Sequence, residues 1–195
     1  MGTAPILDEL LQAGNLDLYL GINIPTNPNQ HRIELAREIM YCCFSKELLA
    51  QYYPDTWQRL LADFQQEGAD FDRIAELPFG TVRQGNKLRD ELDTFFAHYR
   101  KPKLVFESDQ QGLIYQFSKN GEGAGLLSPV IFYQYRKELD ELDGKFFIFP
   151  LRNNMQESTF SLVYRKDYPL PRYAADFVQV ACMVIRNYSK FIYTR

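Results

Sequence analysis

The segment Thr81-Val82-Arg83-Gln84-Gly85-Asn86 runs from the end of an apolar, strand-like stretch into the start of a helical pattern. Such a junction suits an anion. The first N–H groups of a helix lack intrahelical partners, and the helix dipole adds partial positive charge there. Thr81 offers a hydroxyl, Arg83 a fork that matches a carboxylate, and Gly85 allows close approach of backbone, with Gln84 and Asn86 completing the segment. An ordinary turn carrying a surface arginine fits the same residues. Glu107-Ser108-Asp109 forms a second such junction; Ser108 or Asp109 is suited to cap the following helix, and Ser108 could also face a ligand. Asn23 could present its amide, although an Asn before Ile24-Pro25 suits a turn. Ser128 follows the aliphatic pair Leu126-Leu127, and Phe132 reads as core.

Other chemistries find little support. Gly121, Gly123 and Gly125 precede a strand rather than a helix, so they fail the context test of a dinucleotide-binding fingerprint. The chain has no Gly-x-Ser-x-Gly elbow, no P-loop and no His-Glu-x-x-His. His31 falls in a predicted loop and His98 beside the apolar stripe of a helix. Cys42, Cys43 and Cys182 lie in apolar runs without Cys-x-x-Cys spacing, which reads as buried free thiols in a reducing compartment and not as a metal site. No metal, cofactor or catalytic residue is expected. A net charge of -3 with interspersed signs argues against a nucleic-acid surface. No signal peptide and no apolar run of membrane-spanning length is present, which suits a cytoplasmic protein.

These residues need a scaffold to hold them. With 195 residues, 46% apolar, 24% charged and 15% aromatic, the chain is one domain or two small lobes with ample core. Helical spacing predicts helices over 6–13 (ended by Gly14), 46–53, 56–66, 71–76, 87–99, 110–119, 130–142 and 171–188, the last with Phe177, Val180, Ala181, Val184 and Ile185 inward. Strands are predicted over 16–22, 38–45, 78–83, 103–106, 123–127, 146–151 and 159–165. The alternation predicts an α/β fold with a largely parallel sheet. Strands 38–45 and 146–151 are the most apolar and bracket the centre of the chain, as two strands crossing between lobes would.

The order of motifs resembles the effector-binding domain of LysR-type transcriptional regulators. Gly14 before Leu16-Asp17-Leu18, the strand Pro78-Phe79, the segment Phe106-Glu107-Ser108, Gly121-Glu122-Gly123 before Leu126-Leu127, and Val163-Tyr164-Arg165-Lys166-Asp167 before a proline-started helix carry the likeness. Ser128 stands between the aliphatic pair and Pro129, where the family often has proline directly. The resemblance lacks the helix-turn-helix domain and the first β-α-β unit, for which the stretch before Asp17 is too short at roughly 30 residues per unit.

The resemblance implies a bilobal, type 2 periplasmic-binding-protein-like fold: an incomplete first lobe from 1–44 plus 151–195, a second from 45–150, and two crossover strands. It implies a ligand-sensing regulatory domain, not an enzyme, that takes a small polar or anionic metabolite between lobes; from the reading of the residues above, Thr81, Arg83, Gln84, Gly85, Asn86, Ser108, Asn23 and Ser128 would hold it. Its partners would be that effector and, as a homodimer, a second copy, with no direct nucleic-acid contact and no membrane. The alternatives are an intracellular solute-binding or interaction module that pairs through the exposed strand 16–22, and a functionless remnant.

Overall fold

The structure, a computed structural model, describes residues 4–152 and 157–193. The chain forms two compact units, residues 1–38 with 157–195, and residues 39–156.

In the smaller unit, helix α1 (Ala4–Gln12) ends at Gly14, whose φ of 75° is the left-handed conformation that a C′ glycine supplies. Gly14 N–H donates to Leu11 O and Asn15 N–H to Leu10 O, closing the helix end. Strand β1 (Leu18–Ile22), strand β2 (Gln30–Glu38) and strand β8 (Ser158–Arg165) form an antiparallel sheet in the order β1-β8-β2. Leu11, Tyr19, Ile24 and Val163 make its small core. Beside that core the Tyr19 hydroxyl donates to Asp8 Oδ1 at 3.1 Å, and burial together with the Asp8 charge pushes the phenol up to about 12.

The sequence pattern missed β2: its charged residues obscure the alternation, and His31, expected in a loop, lies on this edge strand with its ring 5.0 Å from that of Tyr164 and tilted to it by 36°. The terminal helix α9 (Arg172–Tyr193) also differs from expectation. Phe177, Val180 and Val184 are exposed, together with Tyr173 and Met183, because α9 packs on β2 with its other side. Tyr173 and Asp17 are joined by a 2.7 Å hydrogen bond from the phenol to Oδ2.

The larger unit holds a five-stranded sheet in the order β5-β4-β6-β3-β7, built from β3 (Tyr41–Ser45), β4 (Pro78–Thr81), β5 (Lys103–Glu107), β6 (Ala124–Leu127) and β7 (Phe146–Pro150). Only the pairs β4–β5 and β4–β6 are parallel; β3 pairs antiparallel with both β6 and β7. The expected largely parallel sheet is therefore a mixed one. The two most apolar strands, β3 and β7, lie side by side, and all five residues of β3 are buried. Burial raises the thiol of Cys43 to about 12 and that of Cys42 well above its ordinary value, so both stay protonated and serve as packing.

Helices α2 (Lys46–Tyr52), α3 (Trp57–Glu67), α4 (Phe71–Ile74) and α5 (Lys87–Phe96) cover one face. There Phe44, Phe64, Phe71, Phe79, Phe95, Phe96 and Phe149 form a continuous aromatic core with Leu49, Leu77 and Leu92. Helix α6 (Gln111–Lys119) covers the other face, followed by α7 (Val130–Gln134) and α8 (Arg136–Glu141), which replace the single helix expected over 130–142. Successive residues of β4 show the division: Phe79 belongs to the aromatic core, whereas a Cβ on Gly80 would meet Phe117 and Ile114 of α6.

The glycines before and within β6 exist for this approach. A Cβ on Gly123 would lie 2.4 Å from Phe117 and 2.6 Å from Pro78 O, and one on Gly125 would lie 2.5 Å from Ser118 Oγ. Gly123→Ala should therefore destabilise the protein by about 1–3 kcal/mol through overpacking. Urea denaturation measures this, and an unchanged midpoint would mean that α6 moves away at no cost.

Candidate functional site at the carboxyl ends of the parallel strands

The chain leaves β4 through α5 to β5 on one side, then leaves β5 through α6 to β6 on the other side of β4. Because α5 and α6 lie on opposite faces, the carboxyl end of β4 is a switch point, the place where open α/β sheets receive ligands.

Seven of the predicted residues lie at the ends of these strands. Thr81 closes β4 opposite Glu107 of β5, and its carbonyl accepts from Ser108 N–H at 3.1 Å. The Thr81 side chain is fully buried, and its Oγ1 has no hydrogen-bond partner among the described residues. Native proteins rarely leave such a hydroxyl unsatisfied, so it marks the strand end as a place for a polar group. Arg83 is exposed, with Nη1 3.5 Å from Asp109 Oδ2. Gln84 is exposed, and Gly85 turns at φ 86° with nothing within 4 Å of where a Cβ would stand. Asn86 is the N-cap of α5, its Oδ1 accepting from Leu88 N–H at 3.0 Å.

Ser108 is buried and its Oγ accepts from Gln110 N–H at 3.1 Å, shaping the turn into α6. Neither Ser108 nor Asp109 is the N-cap expected of it: Gln110 holds that position without a side-chain bond, and Asp109 turns to Arg83 instead. Ser128 is half-buried after β6, and its N–H donates to Gln111 Oε1 at 2.9 Å, tying the end of β6 to the start of α6.

Asn23 belongs to the smaller unit, at φ 49°, where its Oδ1 accepts from Thr159 N–H at 2.8 Å and its amide donates to Ser158 Oγ at 3.2 Å. The turn role is the one realised. Among the described residues no group of three or more His, Cys, Asp or Glu could hold a metal ion. No helix among them is long and apolar enough to cross a membrane.

Sequence reasoning missed the residue that organises this end of the sheet. Arg89, on the first turns of α5, is 5% exposed. Its Nη1 donates to Val82 O at 3.1 Å and to Glu107 Oε1, and its Nε to Asp93 Oδ1 at 2.8 Å. Burial works against its charge, but the hydrogen bonds and charges of Asp93 and Glu107 outweigh that and raise its pKa further. The i,i+4 spacing to Asp93 was a readable signal; the bonds to Val82 and Glu107 had none. With Glu107 answered by Arg89, a ligand anion at the strand ends meets less repulsion than the sequence suggests.

Residues 2–182 match the family described as LysR substrate binding domain. The chain belongs to that family. Solved structures agree on the fold at low identity. The effector binding domain of QuiR in complex with shikimate is 12% identical, with a TM-score of 0.56 over 96% of this chain and 76% of that one. The Synechocystis CcmR regulatory domain in complex with 2-PG is 14% identical, with a TM-score of 0.60 over 93% of this chain and 79% of that one. CbnR, a LysR family transcriptional regulator, is 14% identical, with a TM-score of 0.57 over 92% of this chain, which spans only 56% of CbnR. A search of curated proteins by sequence gives no match. The LysR effector domains share the α/β, type 2 periplasmic-binding-protein-like fold, and this chain has it. Family members are effector-binding domains of transcriptional regulators.

Arg89→Met should cost about 1–3 kcal/mol, since it leaves Val82 O and two carboxylates without their shared donor, and Arg89→Lys should recover little because one ammonium cannot reproduce the fork. Guanidinium denaturation of both variants checks this. Full recovery by lysine would show that charge alone matters.

Proposed function

We propose that the larger unit binds a small anionic metabolite at the carboxyl ends of β4, β5 and β6, as the ligand-sensing part of a LysR-type regulator. The observation that carries this reading is the convergence of Thr81, Arg83, Asn86 and Ser108 on one strand-end junction, with the start of α5 supplying backbone donors. Arg83 would grip a carboxylate or phosphate, Thr81 and Ser108 would offer hydroxyls, and Gln84, Gly85 and Ser128 would line the approach. The complexes of QuiR with shikimate and CcmR with 2-PG support a small-molecule ligand for this fold. The role is sensing without catalysis, in the cytoplasm, with nucleic acid contacted by other parts of an intact regulator.

Thermal unfolding against a panel of dicarboxylates, aromatic acids, shikimate and inorganic phosphate tests the proposal. Saturation at about 100 times the Kd adds ~2.7 kcal/mol, a rise of roughly 5–10 °C for a chain of this size. Arg83→Gln should abolish the shift. Thr81→Val should weaken it while raising the midpoint of the free protein, because an unsatisfied buried hydroxyl is removed. No shift with any compound, or a shift unchanged in both variants, would contradict the site.

A second reading, a protein-interaction module, rests on a different observation. β1 is an edge strand with Leu20 and Ile22 exposed, and α9 leaves Phe177, Val180 and Val184 uncovered in the same unit. Light scattering over a dilution series separates the readings: a discrete dimer that Ile22→Lys returns to monomer supports this one, and a monomer throughout removes it.

A further inference from the structure

We infer that Asp109 is an internal competitor for Arg83, a stand-in anion that the ligand must displace, and thereby sets how strongly the site favours charged over neutral ligands. The inference rests on the anion-binding reading above and adds a specificity-determining residue to it.

The geometry is specific to this pair. Arg83 Nη1 and Asp109 Oδ2 are 3.5 Å apart, at the outer limit of a hydrogen bond, with side chains 62% and 70% exposed. Asp109 stands one residue before the N-cap of α6, which is Gln110 and makes no side-chain cap bond. The other acidic residue at this junction, Glu107, is already held by the buried Arg89, so it does not compete for Arg83. Asp109 is thus the carboxylate that Arg83 meets in this structure, and it reaches over from the loop after β5 to the loop after β4 to do so.

An exposed, long ion pair of this kind is worth little, so exchanging the Asp109 carboxylate for that of a ligand costs little. The exchange is charge for charge. A neutral ligand offers Arg83 no anion, so the pair with Asp109 stays in place. A doubly charged ligand gains Arg83 but is repelled by the released Asp109.

Isothermal titration with shikimate and with inorganic phosphate, on the full chain at low and high salt, tests the inference. Asp109→Asn should bind the anion about twofold to fivefold more tightly at low salt, the exposed-pair range expressed as affinity, and the gain should shrink at high salt. Asp109→Glu should stay near the parent, and Arg83→Gln combined with Asp109→Asn should lose the gain. Equal binding by the parent and Asp109→Asn, or weaker binding by Asp109→Asn, would overturn the competitor role and leave the anion site standing. Absence of binding to either protein would overturn the anion site and this inference together.

Discussion

The candidate site depends on one buried guanidinium. Arg89 reaches from α5 to the carbonyl of Val82, just past β4, and to Glu107 at the end of β5, while holding Asp93 on its own helix. One backbone carbonyl and two carboxylates are held by a single planar donor with bonds in diverging directions. Thr81 precedes the first anchor, Ser108 follows the second, and Arg83, Gln84, Gly85 and Asn86 lie between Val82 and Arg89. Their positions follow from that clamp more than from their own contacts, since Arg83 and Gln84 are exposed.

The sheet supplies the second constraint. A helix can approach strands closely only where side chains are absent, and Gly80, Gly123 and Gly125 clear the ground for Phe117, Ile114 and Ser118. That closeness brings the start of α6 to the end of β6, where Gln111 takes the N–H of Ser128. On the opposite face the aromatic core fixes α5 through Leu92, Phe95 and Phe96. With both flanking helices held, the strand-end junction has rigid walls, which is what a binding site on loops requires.

Much of this was legible in the sequence where one period dominates. The apolar stripe of 87–99, the all-apolar run before Ser45 and the glycine at 14 foretold α5, β3 and the end of α1. β2 was not legible, because an edge strand with charged residues along its length has no clear alternation. The exposed side of α9 was invisible for another reason: amphipathic spacing says which residues share a face, not whether anything covers it. At the site, the turn Gln84-Gly85 and the helix start at Asn86 could be read from local propensities. The Arg83–Asp109 pair and the reach of Arg89 could not, since both join residues brought together only by the β4–β5 crossover.

The most direct measurement is an amide-resolved NMR titration with the anions that stabilise the protein. Chemical-shift changes should be concentrated in residues 82–89, 108–111 and 128, with the β1-β8-β2 sheet less affected. Saturable changes that leave residues 82–89 and 108–111 untouched would contradict the central claim that the strand-end junction held by Arg89 is where the ligand binds.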